Sequence, residues 1–488
     1  RFSLLRAWLQ QCDAHTCCQR PRALEGNFPT RVLDIGNPDA LRLVSNQEVF
    51  SQKVSSRRYI ALSHCWGKLA PGKIPQHCTT TQNIDSRKEG RGFCVGSLPL
   101  TFQDAIKVSQ GLDIRYLWID SLCIIQGSGG DWATESGRME AVYAGAYCTI
   151  AATSAVSSEA GFLGRDEDET HRDNQNVPRY VSDNESPNSQ AYLHTRAVNF
   201  AQEVDNGPLN QRAWVLQERY LSRRTVHFSS YRMYFECGFG IYGEDYTQMK
   251  SIVGSEKFID LDPNFPSRLG SDYFNNVIKF LQSLFETYST RELSVPADRA
   301  VALSGLLARI GSVFECKQSY GILEKFLHRT LIWHWTIPRK ENTVDENSEV
   351  PSWSWMRYKG GIQFHQIRYG EWDKFRNLQF TRDGRALVTN VWEFRNCRLQ
   401  KDLGADSTGI RHQILDSSGE LRGCVMYDVE DYSTLCLEWA IILGAKHESQ
   451  DLYLLVVRRT AGGEYERLGT GMIHRNYVLR KDGDAIFV

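Results

Sequence analysis

Tyr59-Ile60-Ala61-Leu62-Ser63-His64-Cys65-Trp66-Gly67 is the stretch on which the fold turns. Its short apolar run predicts a buried strand, and Gly67 predicts the loop that follows. Downstream, Pro99 precedes residues 101–112, where Phe102, Ala105, Ile106 and Ser109 recur at helical spacing. Residues 116–125 are the most apolar run of the chain and predict a second strand. Asp131 then predicts the N-cap of a helix reaching about Ala146, and residues 148–152 predict a third strand. Strand, helix, strand, helix, strand at this spacing points to an α/β fold, a parallel sheet with covering helices.

Around this centre, residues 1–58 read as a helical lead-in, with Phe2, Leu5 and Leu9 on one face. A polar insertion over 165–189 predicts a surface loop. Structure resumes over 212–237, with a helical start and strand-like runs at 225–228 and 232–237. Residues 59–240 are thus the predicted α/β domain. Helical signals fill 241–338, with Asp298 capping a helix over 299–310, and a charged stretch over 339–349 closes that segment. Beyond it, short alternating runs at 386–394, 435–443 and 452–457 predict a β-rich C-terminal domain over 350–488, in a meander or barrel-like arrangement.

The chain has 488 residues, 41% hydrophobic, enough for two to three domains with real cores. Lys+Arg 57 against Asp+Glu 58 gives a formal charge of −1, which argues against charge-driven nucleic-acid binding and against a polybasic membrane binder. No apolar run approaches the ~20 residues of a membrane span. The chain starts at Arg1, which is compatible with an upstream targeting segment. Thirteen cysteines, an odd count spread through apolar segments, predict free buried thiols in a reducing, cytoplasmic setting. Cys12, His15, Cys17 and Cys18 have ligand types that suit zinc, but adjacent cysteines match no ordinary finger spacing, so no metal is expected there.

In an open parallel sheet, ligands bind beyond the carboxyl ends of the strands. The first predicted strand delivers Ser63, His64, Cys65, Trp66 and Gly67 to that edge, and the second carries Asp120, Ser121 and Cys123. A buried Asp120 must be paired, either with a loop or Arg or as part of a site. After the glycine loop at 127–130, Trp132, Glu135, Met139, Val142 and Ala146 share one helical face, which turns Glu135 toward the same edge. Free N–H groups of such a loop can admit a phosphate; the plainer role for Glu135 is an ion pair with Arg115, Arg138 or Arg212. In the 212–219 run, Trp214 and Gln217 share a face beside Glu218 and line either core or a ring-sized pocket.

The ordered blocks 59–67, 98–106, 116–126, Asp131-Trp132 with Glu135, Arg138-Met139 and Tyr143, and 212–218 together resemble the fungal heterokaryon-incompatibility (HET) domain, over residues 59–237. The flanks, Trp8 to Cys17, 296–305 and 351–355, are also similar to members of this family. The resemblance implies a fungal intracellular protein of nonself recognition and regulated cell death, with a parallel-sheet core remotely like the TIR domain. Some TIR domains cleave NAD at the nicotinamide–ribose bond with a Glu one helical turn after a Trp, a spacing that Trp132 and Glu135 match. On that reading Glu135 stabilises the oxocarbenium that forms, Trp132 or Trp66 stacks on a ring, and NAD is a substrate with no cofactor required. Gly127 departs from the family pattern, in which an acidic residue commonly follows the Ile-Gln pair. A second reading makes Cys123 (or Cys65) a nucleophile, His64 its base and Asp120 the orienting group, for acyl-transfer, hydrolase or cyclase chemistry on a small molecule in secondary metabolism. A third is a non-enzymatic module that self-associates or binds a protein partner.

Overall fold

All five residues of Tyr59–Ser63 are buried in the computed structural model, at the centre of a nine-stranded sheet. The structure describes residues 1–18, 28–52, 56–70, 72–90, 93–164, 199–249, 274–336, 349–357, 359–367, 372–375, 377–401, 411–428 and 437–488. The polar insertion at 165–189, and the charged stretch up to residue 348, lie outside these residues. The chain divides into two compact units: Arg1–Val253 with Leu261–Asn264, and Gly254–Asp260 with Phe265–Val488.

In the first unit the strands are β1 (Arg31–Asp34), β2 (Arg42–Ser45), β3 (Tyr59–Ser63), β4 (Tyr116–Trp118), β5 (Cys148–Ala151), β6 (Arg224–Phe228), β7 (Met233–Cys237), β8 (Gly240–Gly243) and β9 (Gln248–Met249). Their order is β2-β1-β4-β3-β5-β6-β7-β8-β9. The centre is parallel, with Ile60 opposite Leu117 on one side and Cys148 on the other, and Ile150 opposite Val226. Both edges are antiparallel, β1 pairing with β4 and β7 with β6. The predicted parallel core is therefore present, and the lead-in segment adds two strands to the same sheet.

The helices of this unit are α1 (Phe2–Asp13), α2 (Asn46–Ser51), α3 (Ile84–Glu89), α4 (Leu100–Gly111), α5 (Asp120–Cys123), α6 (Trp132–Ser136), α7 (Met139–Gly145) and α8 (Ala213–Leu221). Phe102, Ala105 and Ile106 of α4 join Leu5 and Leu9 of α1, Leu62, Leu117, Ile150 and Val226 in one core cluster. Each fully buried Leu or Ile there contributes about 2 kcal/mol by leaving water.

Two predicted elements differ. The strand expected over 116–125 stops at Trp118, because Asp120 Oδ1 takes its own neighbour's N–H at 2.6 Å, and Cys123 N bonds back to Ile119 O at 2.7 Å. These local bonds wind Asp120–Cys123 into a helical turn. The single helix expected over 131–146 is two, α6 and α7, broken at Gly137, a poor helix former. Asp131 sits at the N-cap of α6, but its carboxylate turns back to Ile125 N at 2.8 Å and to Arg31.

Among the described residues, the second unit begins with helices Phe274–Ser289 and Val301–Val313. Asp298 falls inside a short 3-10 turn, Pro296–Arg299, ahead of the second helix. The expected β-rich part follows as a twelve-stranded sheet, in which Trp439–Lys446, Asp451–Arg459 and Tyr465–His474 run antiparallel. Of the predicted run at 435–443, residues 435 and 436 lie outside the described residues. Among the described residues, no helix is long and apolar enough to cross a membrane.

Candidate functional site

β3 ends in Ser63, whose hydroxyl donates to Oε2 of Glu218 on α8. Glu218 is buried, and loss of solvent pushes its carboxyl up to about 7, against the opposing pull of the Ser63 hydrogen bond and the Arg212 charge. Tyr143 of α7 donates its hydroxyl to Leu62 O at 3.2 Å. Arg212, at the N-cap of α8, donates to the His64 carbonyl. One carboxyl poised near neutral pH is thus held where β3 ends, in reach of acid–base work.

Next in the chain, the His64 ring is buried edge-on against Phe102, with centroids 4.9 Å apart, and its Nδ1 lies 3.8 Å from Asp120 Oδ1. Burial outweighs the Asp120 charge and holds the imidazole down at about 4, so it is neutral at pH 7. Asp120 accepts from Trp66 Nε1 at 2.8 Å. His64 Nε2 and Ser121 Oγ are buried without a hydrogen-bond partner. Gly67 turns the chain away at φ +94, a left-handed conformation.

His77, which the sequence reading did not single out, packs edge-on against the same Phe102 ring at 5.1 Å. Its segment is tied to α5 by Thr79 N to Ser121 O at 2.9 Å and by Thr79 Oγ1 to Leu122 O. Arg87 of α3 holds that segment in turn, donating to Thr79 Oγ1 and to His77 O, each at 2.7 Å.

Of the predicted Cys123–His64–Asp120 group, only His64 and Asp120 come together. Cys123 is fully buried, with its thiol 4.0 Å from Leu117 O, and burial pushes it up to about 12. Such a thiol is not a nucleophile at neutral pH. Cys65 is buried as well, and burial raises its thiol.

Glu135 stands on the short helix α6, where its Oε1 accepts from Thr30 Oγ1 at 2.7 Å and faces Arg138 Nη1 at 3.5 Å. Arg138, one of the three partners expected, is 46% exposed, so the pair opens toward solvent. Trp132, three residues earlier on the same helix, is half-buried and meets Trp214 of α8 in a T-shaped contact at 5.6 Å. Trp132 and Trp214, two of the three tryptophans read as lining a site, are therefore neighbours, and Trp66, the third, is held by Asp120. Gln217 is buried on α8 beside Glu218.

The glycine loop before α6 is a closed turn: Gly130 N bonds Gly127 O at 3.0 Å, and Asp131 N bonds Ile125 O at 3.1 Å. Those two donors are consumed within the turn. Behind Ser63 lies a cavity of about 10 Å³, bordered by Asn210, Arg219 and His227, with room for about one water. A larger hollow of about 550 Å³ belongs to the second unit, between Gly311, Glu315 and Asp383, and carries none of the edge residues.

A separate polar cluster sits at the end of α1. Cys12, His15 and Cys18 converge there with Cys237 at the end of β7, their ligand atoms within 4.8 Å of one another. The side chain of Cys17, the fourth member of the group read from the sequence, lies outside the described residues. Cys237 was missed because it lies 222 residues beyond His15, and only the fold joins them.

A family model described as Heterokaryon incompatibility protein (HET) matches residues 59–218, about a third of the chain, from the first residue of β3 to Glu218. No curated protein and no solved structure matches the chain.

Proposed function

We propose, from the HET-family region at residues 59–218, that this chain is a protein of the heterokaryon-incompatibility class that acts in nonself recognition and regulated cell death by cleaving NAD at its nicotinamide–ribose bond. One observation carries the chemistry: Trp132 and Glu135 occupy one face of α6, with Trp214 against Trp132 and the Glu135 carboxylate answered by a solvent-facing Arg138. Trp132 stacks on a ring of the substrate, and Arg138 swings out to free Glu135. The C–N bond breaks with its electron pair passing to nicotinamide, the carboxylate of Glu135 stabilises the ribosyl cation, and water adds to it with loss of a proton. Asp120 and Trp66, with Ser63 and Glu218, form the polar floor at the strand ends.

The test is a split of kinetic constants. Glu135→Gln lowers kcat for nicotinamide release by about 100-fold or more with KM within about threefold, whereas Trp132→Ala chiefly raises KM. Unchanged kcat in Glu135→Gln overturns the assignment.

A second reading, an interaction module without chemistry, draws on the same edge. Glu135 is met by Thr30 and Arg138, Asp120 by Trp66, and Glu218 by Ser63, so each carboxylate already has a protein partner. On that reading NAD is not consumed, and the Glu135 substitution changes association with a partner or a second copy instead.

A further inference from the structure

We propose that Cys12, His15, Cys18 and Cys237 form a structural zinc site that fastens the N-terminal helix to the β7–β8 hairpin. The donor set is three thiols and one imidazole, the Cys₃His combination of closed tetrahedral zinc centres. Local geometry assembles three of the four. His15 N bonds Cys12 O and Cys18 N bonds His15 O, so the chain leaves α1 in successive three-residue turns. Residues three apart eclipse in such turns, which brings Cys12, His15 and Cys18 to one side. Cys237 comes from across the sheet, where Trp8 of α1 stacks on Phe235 of β7 at 5.9 Å.

The distances suit one ion. His15 Nδ1 stands 3.7 Å from Cys237 Sγ and 3.9 Å from Cys18 Sγ. Zinc bonds of roughly 2.3 Å to sulfur and 2.0 Å to nitrogen require N···S edges of about 3.6 Å, so these two edges are within a few tenths of an ångström of a tetrahedral shell. All three cysteines are buried, and none is in a disulfide. His15 stacks on Phe239 at 4.5 Å, which fixes its ring plane. Binding Zn²⁺ releases three thiol protons and leaves one net negative charge. A buried cation offsets that charge: Arg224 Nε donates to Cys12 Sγ at 3.2 Å, while its Nη2 pairs with Asp13 at 2.7 Å. Arginine N–H to thiolate is the kind of supporting contact that orients a ligand sulfur. Four protein donors leave no open position, so the ion holds structure and takes no part in the chemistry proposed for the strand edge.

Metal analysis of the full chain, purified without chelator, decides the matter. Wild-type protein carries about one zinc per chain, and cobalt exchanged into it shows thiolate charge-transfer and tetrahedral ligand-field bands. Cys237→Ser loses both, and Cys78→Ser, a buried cysteine outside the group, keeps both. Wild-type protein without stoichiometric zinc or cobalt binding overturns the proposal, as does a disulfide among Cys12, Cys18 and Cys237 found by thiol mapping. The wild-type measurements decide even where Cys237→Ser does not fold.

Discussion

Glu218 illustrates what a single buried carboxyl does to a protein's pH response. Its folded value is raised to about 7 from an ordinary 4.5, so between these values the folded chain holds a proton that the unfolded chain has lost. Stability from this group is therefore full below about pH 4.5 and falls as pH rises to about 7, by roughly 3 kcal/mol. His64 works in the opposite direction: its value is lowered to about 4, so its contribution is present above about 6.5 and is lost as pH falls toward 4. The two slopes offset each other in wild-type protein. Glu218→Gln removes one of them, so the variant's melting temperature rises with pH from 4.5 to 7 relative to wild type. Parallel curves for the two proteins across that range contradict the assignment. At this scale the sequence was legible where a polar residue interrupts an apolar strand, as Ser63 and Asp120 do. It was not legible for Thr30 and His77, which reach the edge from loops whose paths no local pattern encodes.

At the scale of elements, the strands at 59–63 and 148–151 were readable because they are buried along their whole length, and the helix at 100–111 because its buried residues recur at helical spacing. Residues 116–125 were misread because an apolar run does not reveal where it bends; Asp120 ends the strand by bonding to its own backbone. β1 and β2 went unread because each mixes charged with apolar residues and acquires meaning only from the register of β1 against β4. The turn before α6 supplies a test of how tightly this region is built. A methyl group added at Gly130 falls 2.1 Å from the Ile125 carbonyl oxygen, with backbone on both sides of the contact. Gly130→Ala must open the turn that aims α6, at a cost of about 2–4 kcal/mol, seen as a lower denaturation midpoint and faster hydrogen exchange over residues 125–136. A midpoint equal to wild type shows that the turn is not closed as described.

For the whole molecule, the chain divides into two compact units. In the second, the Arg467 side chain is fully buried, donates to Asp428 Oδ2 at 2.8 Å and to Leu331 O at 2.8 Å, and lies 3.5 Å over the Trp333 ring. Arg467→Met removes a buried cation from Asp428 and the donors to the Leu331 and Trp333 carbonyls, at a cost of about 3 kcal/mol. Hydrogen exchange is expected to report that loss around Trp333 and in the strand Tyr465–His474; unchanged protection there contradicts the role given to Arg467. The proposed reaction belongs to the strand edge of the first unit. Its most direct measurement is nicotinamide released per chain from NAD, followed over a range of protein concentration for wild type beside Glu135→Gln. Wild-type protein is expected to release nicotinamide in proportion to time, with a rate per chain that holds or rises with concentration, and Glu135→Gln to lose it. No release by wild type at the highest concentration, or equal release by the two proteins, contradicts the claim.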